Sequence, residues 1–174
     1  MAHRATSTDG CGWGTLPVEY AYTNLCCREF WMQTERNKLL YRRWIEEMWH
    51  ADPANMDQLA AELAAPGFVA HWPDREARGP EALAEMVRRG VSMFTDVKVA
   101  VEVGPLADGD LVSGRWVFRG SYNGELPGAP VAAGTEVVFA GIDVMRCADG
   151  KFVEYWVSSD GLEFMKQLGF TPKP

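Results

Sequence analysis

The feature that most constrains this chain is a change in the period of its apolar residues near position 96. Before it, apolar side chains recur at helical spacing. After it, they alternate strictly, as in strands with one face inward. Leu40, Tyr41, Trp44, Ile45, Met48 and Trp49 predict an amphipathic helix starting near Thr34. Asp52-Pro53 breaks it. Asn55 and Gln58 read as a capping box for a second helix carrying Met56, Leu59 and Leu63, which Pro66-Gly67 stops. Phe68 to Trp72 is a short extended piece. Gly79-Pro80 opens a third helix with Leu83, Met86 and Val87 on its apolar face, ending at Gly90.

From Asp96 onward, Val97, Val99, Val101 and Val103 alternate with polar or small residues. Asp108-Gly109 and Asp149-Gly150 are hairpin turns. They join strands predicted at 111–119, 135–147 and 151–158, with a Gly- and Pro-rich connection over 120–134. Asp160 and Glu163 read as the cap of a last helix bearing Leu162, Met165 and Leu168. Three helices, four strands and a helix predict an α+β domain. Its helices cover one face of a curled antiparallel meander, with an apolar pocket between the layers. Residues 1–31 show neither period and read as a loosely held extension, with one short element near Tyr20–Trp31. Residues 32–174 form the domain.

The formal net charge is −7 with no clustered basic residues, which argues against a nucleic-acid partner or an anionic membrane surface. No apolar run reaches spanning length, and the N-terminus lacks a secretory pattern, so the cytoplasm is the expected compartment. The four cysteines and three histidines lack metal-ligand spacing, so no bound metal is expected. The strand at 135–147 is apolar on both faces. One face carries Val137, Phe139, Gly141, Asp143 and Met145, and the other Val138, Ala140, Ile142 and Val144. Its outer face is expected to meet a second copy, giving a homodimer. Sedimentation at micromolar concentration checks this, and a strict monomer would refute it.

Several short motifs resemble those of the SnoaL-like polyketide cyclases, or ester cyclases. Gly120-Ser121-Tyr122-Asn123-Gly124-Glu125-Leu126-Pro127-Gly128 is followed by Phe139-Ala140-Gly141-Ile142-Asp143-Val144-Met145-Arg146. Asp149 to Trp156 and Lys166-Gln167-Leu168-Gly169 continue the match. Upstream, Pro66 to His71 and Gly79-Pro80-Glu81 fit as well. The resemblance covers about 36–169 and implies the cone-shaped fold shared with ketosteroid isomerases and nuclear transport factors. It also implies cofactor-free ring closure by intramolecular aldol chemistry on a small hydrophobic carbonyl compound. Relatives of this fold also isomerise or open epoxides, and a non-catalytic ligand-binding or dimerisation module is a further alternative.

Aldol closure needs a base for a proton alpha to a carbonyl and donors for the enolate oxygen. Asp143 is the candidate base, and a structural acid paired with Arg115 or Arg146, or exposed at a bend, is the alternative. His71 and Tyr155 are candidate donors or acids, Tyr155 standing where the ester-cyclase branch often has histidine. Trp44, Tyr41, Trp116, Phe139, Met145 and Trp156 are candidate pocket-lining residues, each open to plain core packing. Tyr122 is a candidate donor, and Asp160 matches a family acid although a helix cap also explains it. One position departs from the pattern. The alignment puts the aspartate that serves the aromatic-polyketide cyclases as acid/base at Val157, and its partners at Ala70 and Asp143. Only Asp143 is ionisable.

Overall fold

The computed structural model describes residues 18–72 and 75–170, with side chains from residue 28 onward. Helix α1 (Val18–Glu46) runs into a 3-10 turn at Met48–His50, followed by α2 (Met56–Leu63). Strands β1 (Ala64–Trp72) and β2 (Arg75–Arg78) precede α3 (Gly79–Ser92). Then come β3 (Phe94–Asp108), β4 (Leu111–Tyr122), β5 (Glu136–Ala148), β6 (Lys151–Ser159) and α4 (Gly161–Gln167). The strands form one sheet in the order β2-β1-β6-β5-β4-β3. Every neighbouring pair is antiparallel except β1 and β6.

The meander from β3 to β6 follows the alternation in the sequence. The sheet has six strands rather than the expected four, because the extended piece before Trp72 pairs with β6 on one side and β2 on the other. Its register slips between Ala64 and Val69, the stretch holding Pro66, which has no N–H to give a ladder. Three register shifts along β3 and β4 bend that end of the sheet over the helices. The result is an open, strongly curved sheet with its concave face filled.

Helix α1 fills most of the concavity. Tyr41, Trp44, Ile45 and Met48 are fully buried, at the helical spacing the pattern predicts. The helix begins well before Thr34, at Val18, and passes through positions 31 and 32 without a break. Residues 1–17 of the expected extension lie outside the described residues. Asn37 is buried and donates to Gly109 O at 3.0 Å, tying α1 to the β3–β4 hairpin. Helices α2 and α3 pack on each other and on β1. The two predicted caps form differently. Asn55 and Asp160 occupy the N-cap positions of α2 and α4, and neither side chain makes a capping hydrogen bond. The Asp52 carboxylate instead accepts the Ala54 N–H in the turn before α2.

Helix α4 packs against β5. The Gln167 carboxamide accepts from Val138 N at 2.8 Å and donates to Val138 O at 2.7 Å, standing in for an adjoining strand. Phe164 meets Phe94 and Phe139. On the convex face, Val103, Leu106 and Ile142 are exposed. No helix of the described residues is long and apolar enough to cross a membrane.

Candidate active site

Asp143 points into the concave face from the middle of β5 and is 1% exposed. Three side chains from three other elements donate to it. Trp116 Nε1 on β4 reaches Oδ1 at 2.8 Å, and the Tyr155 hydroxyl on β6 reaches the same oxygen at 3.0 Å. Trp44 Nε1 on α1 reaches Oδ2 at 3.0 Å. The Tyr41 hydroxyl also lies beside the carboxylate and gives its proton to Gly114 O at 3.0 Å. The arginines expected as partners are elsewhere. Arg115 pairs with Glu102, and Arg146 with Asp110 and Glu154, all on the outer surface.

Two glycines make this crowding possible. Gly114 is the register partner of Asp143, and a Cβ there would sit 2.7 Å from the Tyr41 ring. Gly141 faces Trp116 across the β4–β5 pair, and a Cβ there would run into the indole. Any side chain at either position would push a ring away from the carboxylate.

The electrostatics follow from burial without a counter-charge. Loss of water pushes the Asp143 carboxyl up from 3.8 to about 6, and the donors from Trp116, Trp44 and Tyr155 limit the rise. The Tyr155 hydroxyl is held well above its ordinary value, first by burial and then by the Asp143 charge. Tyr41 is raised for the same reasons in the same order. Both phenols therefore stay protonated at neutral pH.

A cavity of about 260 Å³ opens beside this cluster. Trp116, Tyr155, Phe139, Val157 and Trp72 reach it from the sheet, and Trp49 and Met86 from the 3-10 turn and α3, with Arg75 and Ser159 also contributing. Tyr155 and Trp116 thus both line the cavity and touch Asp143, which sits behind them. Val157 is the register partner of Asp143, so an apolar side chain lies directly across from the carboxylate. Ala70 pairs with Tyr155 and is fully buried.

Several expected site residues lie elsewhere. His71 is on the convex face, opposite in alternation to Phe68 and Ala70. Its ring stacks on Trp156 at 5.4 Å and bonds Glu154 at 3.0 Å, with Glu76 at 3.3 Å. Trp156 adjoins Tyr155 in the strand, so only one of them can face inward, and it also carries Arg146 over its ring. Tyr122 is buried, but its hydroxyl donates to Leu126 O and accepts from Leu126 N, which pins the 120–134 connection. Met145 is fully buried core. Asp160 is exposed beyond the end of β6 and does not line the cavity. A bulge at Val153 breaks the alternation of β6, so that Phe152 rather than Val153 is buried. Trp49, Trp72 and Met86 were absent from the sequence candidates. Alternation through Phe68, Ala70 and Trp72 is the signal that points Trp72 inward.

Asp143→Leu strands three buried donors, each at a cost of about 1–3 kcal/mol, and should lower stability by several kcal/mol. Asp143→Asn keeps an acceptor and removes the charge. Because the folded carboxyl titrates above its unfolded value, its contribution is fully present below about pH 4 and lost as pH rises through about 6. Urea unfolding should show wild type losing about 3 kcal/mol relative to Asp143→Asn between pH 4 and pH 7.5. A pH-independent difference would contradict the buried, uncompensated charge.

The comparisons with known proteins agree with this architecture. TsrD from Streptomyces laurentii is 24% identical, with a TM-score of 0.63, covering 78% of this chain and 96% of its own. A candidate SnoaL-like polyketide cyclase from Jannaschia Sp. CCS1 is 23% identical, with a TM-score of 0.69 and coverages of 80% and 95%. IdmH from Streptomyces antibioticus, a candidate polyketide cyclase, is 26% identical, with a TM-score of 0.63 and coverages of 75% and 96%. No curated protein matches the chain. The model of the SnoaL-like polyketide cyclases matches residues 39–168, which includes every residue of the Asp143 cluster and its cavity, and the chain belongs to that family.

Proposed function

We propose that the protein is a cofactor-independent cyclase that removes a proton alpha to a carbonyl of a small hydrophobic substrate, with Asp143 and Tyr155 as a coupled proton acceptor. The observation that carries this is a lone buried carboxylate, pushed up to about 6, bonded to a phenol that lines an aromatic cavity. A carboxyl of that value is ionised at neutral pH and is a stronger base than an exposed aspartate.

Asp143 is behind the cavity wall and Tyr155 lines it, so the proton is routed through the Tyr155 oxygen. In the proposed step the substrate's alpha proton passes to the Tyr155 oxygen as the phenol's own proton passes to Asp143 Oδ1. The electron pair of the broken C–H bond becomes the enolate. The enolate carbon attacks the second carbonyl, and the resulting alkoxide takes a proton back from Tyr155 as Asp143 returns its own. Protons balance over the cycle. Neither tyrosine has to ionise in isolation, which their raised values would oppose. His71 has no part, because the sheet separates it from the cavity. The aromatic walls fit a flat, ring-bearing substrate.

Hydrogen–deuterium exchange alpha to the carbonyl of β-tetralone, followed by NMR in deuterated buffer, tests this without knowledge of the natural substrate. The catalysed rate should rise with pH through about 6 and then level, as Asp143 loses its proton. Asp143→Asn and Tyr155→Phe should each lower it about 100-fold or more. A wild-type rate in Asp143→Asn would remove the carboxylate from the chemistry. Binding of the probe without any catalysed exchange would favour a ligand-binding module.

A further inference from the structure

Trp49 lies between two cavities and lines both. One is the cavity of about 260 Å³ beside Asp143. The other has about 390 Å³ and is lined by Pro53, Val91, Phe94 and Val97, and also by His50 and Arg88. The division runs through the same elements on both sides. On α3, Met86 lines the first cavity, and Arg88 and Val91 the second. On the sheet, Trp116 and Phe139 line the first, and Phe94 and Val97 the second.

The indole spans the gap between helix and sheet. Its ring meets Phe118 of β4 at 6.4 Å and Trp44 of α1 at 5.8 Å, both edge-on. Its benzo edge lies against α3, where a Cβ on Gly90 would stand 3.4 Å from Cζ3 and 3.7 Å from Cη2. The turn that carries Trp49 is fixed on either side of it. Met48 is fully buried. His50 uses both ring nitrogens. Its Nε2 accepts the Val99 N–H at 3.2 Å, so Nδ1 carries the proton and donates to Glu46 O at 3.1 Å. These two bonds tie the turn to β3 and to the end of α1.

We propose that Trp49 is the specificity-determining residue of the substrate cavity, a partition that stops the far end of the ligand and sets its length. This rests on the reading of the cavity beside Asp143 as the substrate site. At about 260 Å³ the cavity falls below the ~300–1,000 Å³ of ordinary drug-sized ligand sites. With Trp49 in place it takes a flat ketone of bicyclic size, its carbonyl end toward Tyr155 and its other end against the indole. A longer ligand would have to displace a ring packed on three elements, which close-packed interiors resist. A smaller side chain at this position joins the two cavities and admits the longer ketone.

The test is calorimetric binding of β-tetralone and of 6-phenyl-β-tetralone, the same bicycle extended by one ring at the end away from the carbonyl. Wild type should bind β-tetralone about tenfold or more tightly than the phenyl derivative. Trp49→Ala should move the ratio of the two affinities about 30-fold or more toward the longer probe, whatever loss both share. Trp49→Leu leaves a smaller hole and serves the same comparison should Trp49→Ala fail to fold. Should neither fold, wild-type NMR decides alone. Bound β-tetralone should then show contacts to the Val157 methyls and none to those of Val91 or Val97. An affinity ratio that the variants leave as in wild type would overturn the assignment. So would wild type binding both probes equally, or contacts from β-tetralone to Val91 or Val97. Absence of contacts to Val157 would instead remove the cavity as the substrate site, and the proposal with it.

Discussion

A single buried carboxylate without a counter-cation organises this structure. Asp143 stands on β5, and its hydrogen bonds reach β4, β6 and α1. An ion in that position is tolerated only if its oxygens are satisfied, and here neutral N–H and O–H groups do all of it. The requirement propagates outward. Tyr41 and Trp116 can approach only because Gly114 and Gly141 leave the strands bare where their rings lie. Helix α1 must cross the concave face at the height that brings Trp44 to Oδ2. The bends in β3 and β4 keep the sheet wrapped closely enough for this contact.

The same constraint connects packing to chemistry. A paired or hydrated aspartate would be a weak base at neutral pH. Burial without a cation raises this one, while the three donors keep the rise moderate. Both phenols near it are raised as well, which takes them further from ionisation, and they serve as hydrogen-bonding groups rather than as ions. Val157 faces Asp143 across one register step, so the side chain directly opposite the carboxylate is apolar. In the proposed mechanism Asp143 acts with Tyr155. Opening an epoxide with water, which favours more than one carboxylate around the nucleophile, is less suited to this cavity.

Local periodicity made much of this readable. The alternation in β5 places Asp143 inward between Gly141 and Met145, and helical spacing places Tyr41 and Trp44 on the buried face of α1. What local pattern does not carry is strand pairing beyond the meander. The parallel contact of β1 with β6 is what brings Ala70 beside Tyr155 and turns His71 onto Trp156 at the outer face. Trp156 and Tyr155, adjacent in one strand, could never both line the cavity. The Val153 bulge shifts the inward side by one residue, and nothing in the residues around it announces that. Tyr122 has the composition of a donor but serves the 120–134 connection, a use that depends on where Leu126 returns.

The central claim is that Asp143 is an uncompensated buried carboxylate, and its own titration tests that most directly. The carboxyl-carbon NMR shift of Asp143, followed against pH in the free protein, should show a midpoint near 6, well above the 3.8 of an ordinary aspartate. A midpoint at or below 4 would mean that water or a cation reaches the carboxylate, and would contradict both the packing around Asp143 and the basicity assigned to it.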